Sequence, residues 1–249
     1  MGSAKYRFRE ELVEGVIKSR PNRFIMMVEM GGNILKMHCP STGRIGGIVF
    51  EDVPCLVSMA GEKKRKTSGT VEAISLDSCR KKNKNWIGIN QNRANEYVGY
   101  FLGIGALSGM VQGKEVKKEV KLGESRIDFL VGKDYVEVKT LLIELPASKI
   151  RKYAKQPKFD SFERLIKHFR DLGESIGKES RAIILLCYMF DAEPFRPPEL
   201  DGTNSKILLA ARGAKRKGVE NWQINLKIDS KGIELLDYFK LDLFNSETQ

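Results

Sequence analysis

Alternating apolar and polar positions in the first third of the chain predict short strands separated by turns. β-branched and aromatic residues suit a pleated, half-buried surface, whereas Gly, Pro and Asn favour tight reversals. The predicted strands are residues 8–17, 23–29, 33–39, 54–59 and 67–76. Five strands with a short interruption after the third predict an OB-fold β-barrel, although an SH3-like barrel would give a similar pattern.

The rest of the chain alternates between helical and strand patterns. Apolar residues recur at helical spacing in residues 92–107, 161–172 and 204–216. Strands are predicted at residues 86–89, 115–121, 125–131, 135–139, 181–190 and 221–229. This α/β order predicts a mixed sheet flanked by helices. The polar, basic residues 78–85 form the predicted linker between domains 1–85 and 86–249.

A hairpin is predicted around Gly132, between residues 125–131 and 135–139. Residues two apart in a strand share a face, so Glu137 and Lys139 point one way while Val136 and Val138 face the core. We expect Asp128 to oppose Lys139 across a four-residue loop. Asp128 and Glu137 are then diagonal neighbours about 7–8 Å apart.

An Asp, a Glu and a Lys on one surface can carry metal chemistry. Hard carboxylate oxygens suit Mg²⁺ or Mn²⁺, and an adjacent ammonium can orient a water or steady a phosphate. The same three residues would also form an ordinary ion cluster on a solvated sheet face. The pattern Asp with Glu-x-Lys is short, and by itself it leaves both interpretations open.

The charge of the chain indicates an anionic partner. The 43 Lys and Arg outnumber the 32 Asp and Glu, which gives a net charge of +11. Residues 1–85 hold 16 of these basic residues against 9 acidic ones. We expect a barrel groove that contacts nucleic-acid backbone without reading its sequence. The candidate phosphate contacts are Arg20, Arg23, Arg44, Lys64, Arg65 and Lys66, the last three within a basic run that could instead be a solvated hairpin tip.

Other classes of site and location are disfavoured. The four cysteines form no Cys-x-x-Cys pair and the chain has two histidines, so free thiols are expected in place of a zinc site. No apolar run is long enough to span a membrane, no amphipathic basic helix favours a membrane surface, and the N-terminus lacks a signal-peptide core. We therefore expect a cytoplasmic protein that does not bind membranes.

Several short motifs extend over nearly the whole chain. They are RPNRF at 20–24, HCPSTG at 38–43, KRK at 64–66, IN at 89–90, AN at 94–95, EVK at 119–121, SRIDF at 125–129, EVK at 137–139 and KH at 167–168. In this order they resemble the sugar fermentation stimulation protein family, and the αβββαβ succession resembles the PD-(D/E)XK nuclease core. The resemblance implies an N-terminal OB domain, a C-terminal nuclease-like domain and binding of DNA.

The resemblance also implies roles for individual residues. Asp128, Glu137 and the Val138 carbonyl would hold Mg²⁺ or Mn²⁺, with Glu119, or less favourably Glu96, adding a carboxylate. Lys139 would position the attacking water or stabilise developing charge. The residues expected to grip phosphates are Arg126, Arg164, Lys167 and His168. The helical pattern alone places His168 on a polar face, where it would be a solvated or hydrogen-bonded histidine. The region of residues 145–160 departs from the family pattern, so its fold is left open.

The expected activity is Mg²⁺-dependent hydrolysis of phosphodiester bonds in single-stranded or structured DNA. Two alternatives remain at this point. One is a DNA-binding protein without catalysis, for which the family name suggests regulation of sugar metabolism. The other is an RNA-processing nuclease, since OB barrels also bind RNA.

Overall fold

The computed structural model describes residues 4–41, 43, 45–61, 66–142, 145, 162–177, 180–197 and 205–243. The three helices in this part of the chain are α1 (Gln91–Gly103), α2 (Phe162–Ser175) and α3 (Ser205–Arg216). Its strands are β1 (Lys5–Arg7), β2 (Val13–Asn22), β3 (Ile25–Met30), β4 (Asn33–His38), β5 (Val53–Met59), β6 (Gly69–Ser75), β7 (Trp86–Gly88), β8 (Val116–Leu122), β9 (Ser125–Val131), β10 (Asp134–Thr140), β11 (Arg181–Tyr188), β12 (Glu220–Ile228) and β13 (Gly232–Leu241).

Strands β2 to β6 form a closed five-stranded barrel. The sheet order is β4-β3-β2-β5-β6-β7, and β4 closes the barrel by pairing in parallel with β6 at Met37 and Gly69. Met26 and Val28 alternate with more exposed neighbours along β3 and are fully buried in the barrel core. A Cβ at Gly69 would lie 2.4 Å from the Ser58 carbonyl oxygen, so the close approach of β6 to β5 at this position requires glycine. The predicted OB-like barrel is confirmed.

The C-terminal part is a seven-stranded mixed sheet with the order β1-β13-β12-β11-β10-β9-β8. Its central strands β10, β11 and β12 are parallel, while the outer strands pair antiparallel. Helix α1 packs on one face, where Val98 and Phe101 join Val136 in a hydrophobic cluster. Helices α2 and α3 cover the opposite face, where Leu172 and Ala211 contribute to a second cluster. The predicted mixed sheet flanked by helices is confirmed.

Strands β1 and β13 were not predicted. The predicted first strand, residues 8–17, begins only at Val13, and the predicted last strand is followed by β13. Lys5 pairs with Glu234, from the other end of the chain, and a strand of three residues has too short a pattern to detect. The division into domains 1–85 and 86–249 stays a prediction, since β1 belongs to the seven-stranded sheet and β7 to the barrel sheet.

The predicted register of the β9–β10 hairpin is wrong by two residues. Val131 pairs with Asp134 and Phe129 with Val136, so Gly132 and Lys133 alone form the turn. Gly132 has φ +60°, a left-handed conformation that glycine adopts readily. Because side chains alternate with a period of two, an error of two residues leaves every side chain on its predicted face.

The expected free thiols are found at all four cysteines, three of them buried. Cys39, Cys55 and Cys187 are buried free thiols, and Cys79 is an exposed one. In the described part of the chain, no helix has both the length and the apolar character needed to cross a bilayer.

Candidate metal centre and nucleic-acid interface

Asp128 and Glu137 face each other where the backbone pairing of β9 and β10 ends. The last backbone pair is Phe129 with Val136, which makes Asp128 and Glu137 the next residues in register. The Val138 N–H donates to Asp128 Oδ2 at 2.8 Å, and the Asp128 N–H donates to Glu137 Oε2 at 3.3 Å. Side-chain carboxylates thus occupy the gap where the ladder bonds would continue.

Glu137 is 2% exposed and is held from the other side by Lys139 and His168. Lys139 Nζ lies 2.7 Å from Glu137 Oε1. The Nδ1 atom of His168 hydrogen-bonds the same oxygen and lies 3.3 Å from Lys139 Nζ. Because a carboxylate can only accept, Nδ1 is the donor to Glu137. Helix α2 therefore contacts the Glu137 side chain through His168.

The two carboxylates differ in charge compensation. Burial raises the pKa of Asp128, and the nearby Glu137 carboxylate raises it further, while the Val138 N–H, Lys139 and Asn95 act in the opposite direction. Burial would also raise the pKa of Glu137, but the His168 hydrogen bond and the Lys139 charge outweigh it and lower that pKa. The protein neighbours therefore compensate a charge on Asp128 less well than a charge on Glu137.

Sequence reasoning missed the residue that orients Asp128. Asn95 on α1 donates from Nδ2 to Asp128 Oδ1 at 2.6 Å. One turn earlier, Gln91 donates from Nε2 to the Thr140 carbonyl at 3.3 Å, just beyond Lys139. The sequence signal for this contact was a pair of amide side chains four residues apart, both lying outside the apolar stripe of α1.

The other predicted metal ligands lie away from this gap. Glu119 sits beside Asp128 in register on β8 but has φ +55°, and its carboxylate is exposed, 3.9 Å from Arg126 Nε. Glu96 accepts hydrogen bonds from Tyr6 and Arg93 instead. Among the described residues, no three His, Cys, Asp or Glu side chains are grouped to hold a metal. The available protein ligands are therefore two carboxylates and backbone oxygen.

The predicted phosphate contacts around the site differ in exposure. Arg126 is 72% exposed, and Lys167 Nζ lies 3.6 Å from the exposed Glu124 carboxylate. Of the two environments expected for His168, solvated or hydrogen-bonded, the structure has the second: the side chain is 6% exposed and bonded to Glu137. Arg164 lies in α2, but its side chain is outside the described part, as are residues 146–160.

The predicted barrel contacts are only partly described. Arg20 donates from Nη2 to the carbonyls of Ser41 at 2.8 Å and Arg23 at 3.2 Å, and its guanidinium lies over the Phe50 ring. Arg20 therefore holds the barrel loops together. The Arg23 guanidinium stacks on the exposed Phe24 ring, 4.6 Å from its centroid, and Lys66 is exposed. Arg44, Lys64 and Arg65 lie outside the described residues.

Comparisons with known proteins cover both halves of the chain. A family model described as the SfsA N-terminal OB domain matches residues 19–89, and one described as the sugar fermentation stimulation protein RE domain matches residues 92–232. Proteins named sugar fermentation stimulation protein homolog, from Desulforamulus reducens and Pseudomonas putida, are each 30% identical to this chain. The two alignments cover 94% and 91% of this chain and 93% and 94% of those proteins.

The fold is similar to that of a solved structure. Pyrococcus furiosus SfsA in complex with Ca²⁺ matches with a TM-score of 0.72 and 19% sequence identity. The match covers 98% of this chain and 100% of that one. At this identity the likeness shows a common fold across both the barrel and the mixed sheet.

Proposed function

The chain belongs to the sugar fermentation stimulation protein family, and from the geometry of its site we propose that it hydrolyses phosphodiester bonds in nucleic acid with a bound divalent cation. The observation that carries this proposal is the pair of carboxylates, Asp128 and Glu137, held side by side where two strands part. If these two carboxylates served only in a structural ion cluster, each of them would be expected to form an ion pair with a cation. Here Lys139 and His168 both contact Glu137.

The donor set fits a hard divalent cation. Glu137 Oε2 and the Asp128 carboxylate face the same gap, while Glu137 Oε1 is taken by Lys139 and His168. The Val138 N–H points into this gap, and since N–H and C=O of one strand residue lie on the same side, its carbonyl does too. Mg²⁺ commonly takes one or two carboxylates and keeps several waters. The Ca²⁺ complex of the Pyrococcus furiosus relative supports a divalent-ion site in this fold.

The protein side chains divide the remaining work. A bound Mg²⁺ or Mn²⁺ would polarise the scissile phosphate and lower the pKa of a coordinated water. Asn95 and the Val138 N–H hold Asp128 in one orientation, and His168 does the same for Glu137. Lys139 has its ammonium 2.7 Å from Glu137 Oε1, and we propose that it positions a water or balances charge that develops on the phosphate.

DNA is the proposed substrate, in single-stranded or structured form. The net charge of +11 and the exposed cations of the barrel and the β8–β9 hairpin favour contacts with the phosphate backbone. The Arg23–Phe24 pair offers an exposed ring and a guanidinium. Proteins that bind single-stranded nucleic acid use this combination to stack on bases and to contact the backbone. RNA remains the alternative substrate.

The test is cleavage of labelled single-stranded, duplex and branched DNA and of RNA, with Mg²⁺, with Mn²⁺ and with chelator. We expect cutting that requires metal, that Asp128→Ala abolishes and that Lys139→Ala reduces by roughly 10²–10³-fold. Asp128→Ala should bind the strand as well as or better than wild type, because a carboxylate beside the phosphate is removed.

Asp237→Ala and Lys227→Ala, two exposed residues on β13 and β12, are the matched controls and should cut normally. Cutting that persists in Asp128→Ala would overturn the proposal. Binding of nucleic acid with no cutting of any substrate would assign the chain to nucleic-acid binding without catalysis.

A further inference from the structure

A cavity of about 460 Å³ opens where β11 ends, outside the carboxylate site. The cavity is lined by Leu145, Tyr188 and Phe190 and by the loop of residues 191–196, which we term its outer wall. A cavity of this size is in the range that holds small organic groups. None of the residues in its walls takes part in the metal site or in the predicted phosphate contacts.

The cavity lies on the same face of the sheet as the proposed catalytic residues. In the parallel pairing of β10 with β11, Glu137 is beside Ile184 and Lys139 is beside Leu186. Tyr188 follows Ile184 by four residues, which corresponds to about 13 Å along the strand. The cavity is therefore at the carboxyl end of the parallel strands, where ligands bind in open α/β sheets. A separation of about 13 Å corresponds to a few nucleotides of a nucleic-acid strand.

The outer wall of the cavity is held in place by buried amides. Gln223 on β12 is 0% exposed, donates to the carbonyls of Ala192 and Glu193, and accepts from the Phe195 N–H at 2.8 Å. Asn225, also buried, donates to the Ala192 carbonyl at 2.6 Å. Two buried polar side chains on one strand thus fix a loop that has no helix or strand of its own. The wall keeps its shape without a ligand.

The chemistry of the walls suits a flat heteroaromatic ring. Phe190 and the half-buried Phe195 supply aromatic rings to the lining, and base–aromatic stacking is tolerant of base identity. The exposed Asp191 and Glu193 can accept from exocyclic amino groups, and the exposed Arg196 can stack or contact a phosphate.

We propose that this cavity takes one unstacked base of the strand whose phosphate lies at Asp128 and Glu137, a proposal that rests on the function proposed above. Seating the base would fix the position of the strand relative to the carboxylates. The cavity would favour single-stranded or distorted nucleic acid, since a paired base must leave the stack to enter it.

The test places 2-aminopurine, a fluorescent base, at successive single positions of a DNA oligonucleotide. Binding is measured with Asp128→Ala protein, so that the strand stays intact. We expect a fluorescence change at one position, a few nucleotides from the cut. Adding Phe195→Ala should remove this change and weaken binding by roughly 5- to 100-fold, the range found for loss of one base-stacking aromatic.

An abasic nucleotide at the same position isolates the contact. On the abasic strand, proteins with and without Phe195→Ala should bind equally. Phe195→Leu keeps apolar volume in the wall but has no ring, so it should behave like Phe195→Ala. Its result separates the loss of the aromatic ring from a loss of folding. Tyr100→Ala, which removes an exposed ring on α1, is the matched control and should bind like its parent.

The proposal is overturned if no position responds to binding, or if Phe195→Ala weakens binding to the normal and abasic strands equally. Wild-type cleavage, assayed in parallel, separates the two proposals. Cutting without a position-specific response would leave the nuclease and remove the base site. A position-specific response without cutting would leave the base site and remove the nuclease.

Discussion

The two oxygens of Glu137 face different neighbours. Oε1 contacts Lys139 and His168, whereas Oε2 faces Asp128 across the gap between β9 and β10. The contact of His168 with a phosphate stays a prediction, whereas its contact with Glu137 is part of the structure. Its position beneath the site gives it a role in orienting a carboxylate, as the partners of metal-binding side chains commonly do.

Replacing His168 with Ala would leave buried Glu137 with one hydrogen-bond donor fewer. We expect the free energy of unfolding to fall by about 1–3 kcal/mol, measured by urea denaturation. We also expect metal-dependent cleavage to fall by roughly 10–100-fold. His38→Ala, which alters the partly exposed histidine of the barrel, is the control. Unchanged stability and cleavage in His168→Ala would contradict the proposed role.

Strand β7 joins the barrel to the seven-stranded sheet. It pairs with β6 through Ile87 and Ile74, and the Gly88 N–H donates to the Met189 carbonyl at 2.9 Å. Residue Glu72 of β6 extends this connection, because its buried carboxylate accepts from Ser58 and from Asn90, directly before α1. One short element thus fixes the start of α1, which in turn carries Asn95 to Asp128.

We expect Gly88→Ala to disturb this junction. A Cβ at Gly88 would lie 2.5 Å from the Met189 Cβ, which forces the strand and the sheet apart. The free energy of unfolding should fall by about 1–3 kcal/mol, as for other overpacked sites, and urea denaturation measures it. Gly103→Ala at the end of α1 meets nothing within 4 Å and should leave stability unchanged or slightly raised. Equal stability of the two variants would show that β7 is not tightly packed.

Residues from both the barrel and the mixed sheet are buried in one hydrophobic cluster. Barrel residues such as Ile17 and Val71 belong to the same cluster as Ile184 and Leu186 of β11. The two parts are therefore packed against each other. Under the proposed function, the basic excess of residues 1–85 and the cations near Asp128 act on the same strand of nucleic acid.

Nucleic-acid binding by this surface should depend steeply on salt. If about four phosphates are neutralised, affinity for single-stranded DNA should fall on the order of 10²-fold between 50 and 200 mM salt. Asp128→Ala protein allows this to be measured without cleavage. Lys66→Ala should reduce the slope of log affinity against log salt by about 1, and Lys227→Ala should leave it unchanged. Binding that is insensitive to salt would contradict a backbone-dominated interface.

The sequence by itself determined the local elements and their faces. The alternation of apolar residues predicts the barrel strands and the β9–β10 hairpin, and it places Glu137 and Lys139 on one face. That placement survives a register error of two residues because the side-chain period of a strand is two. The basic charge and the carboxylate pair also follow from residue types alone.

Only the tertiary structure decided what covers each face. It buries His168 against Glu137, brings Asn95 to Asp128, turns Arg20 inward and pairs β1 with β13. The fixed loop beside the cavity also depends on Gln223, about thirty residues further along the chain. Periodicity shows which residues of one element share a face. It does not show which distant element packs there, because the order of strands and the packing of helices are set by contacts between remote parts of the chain.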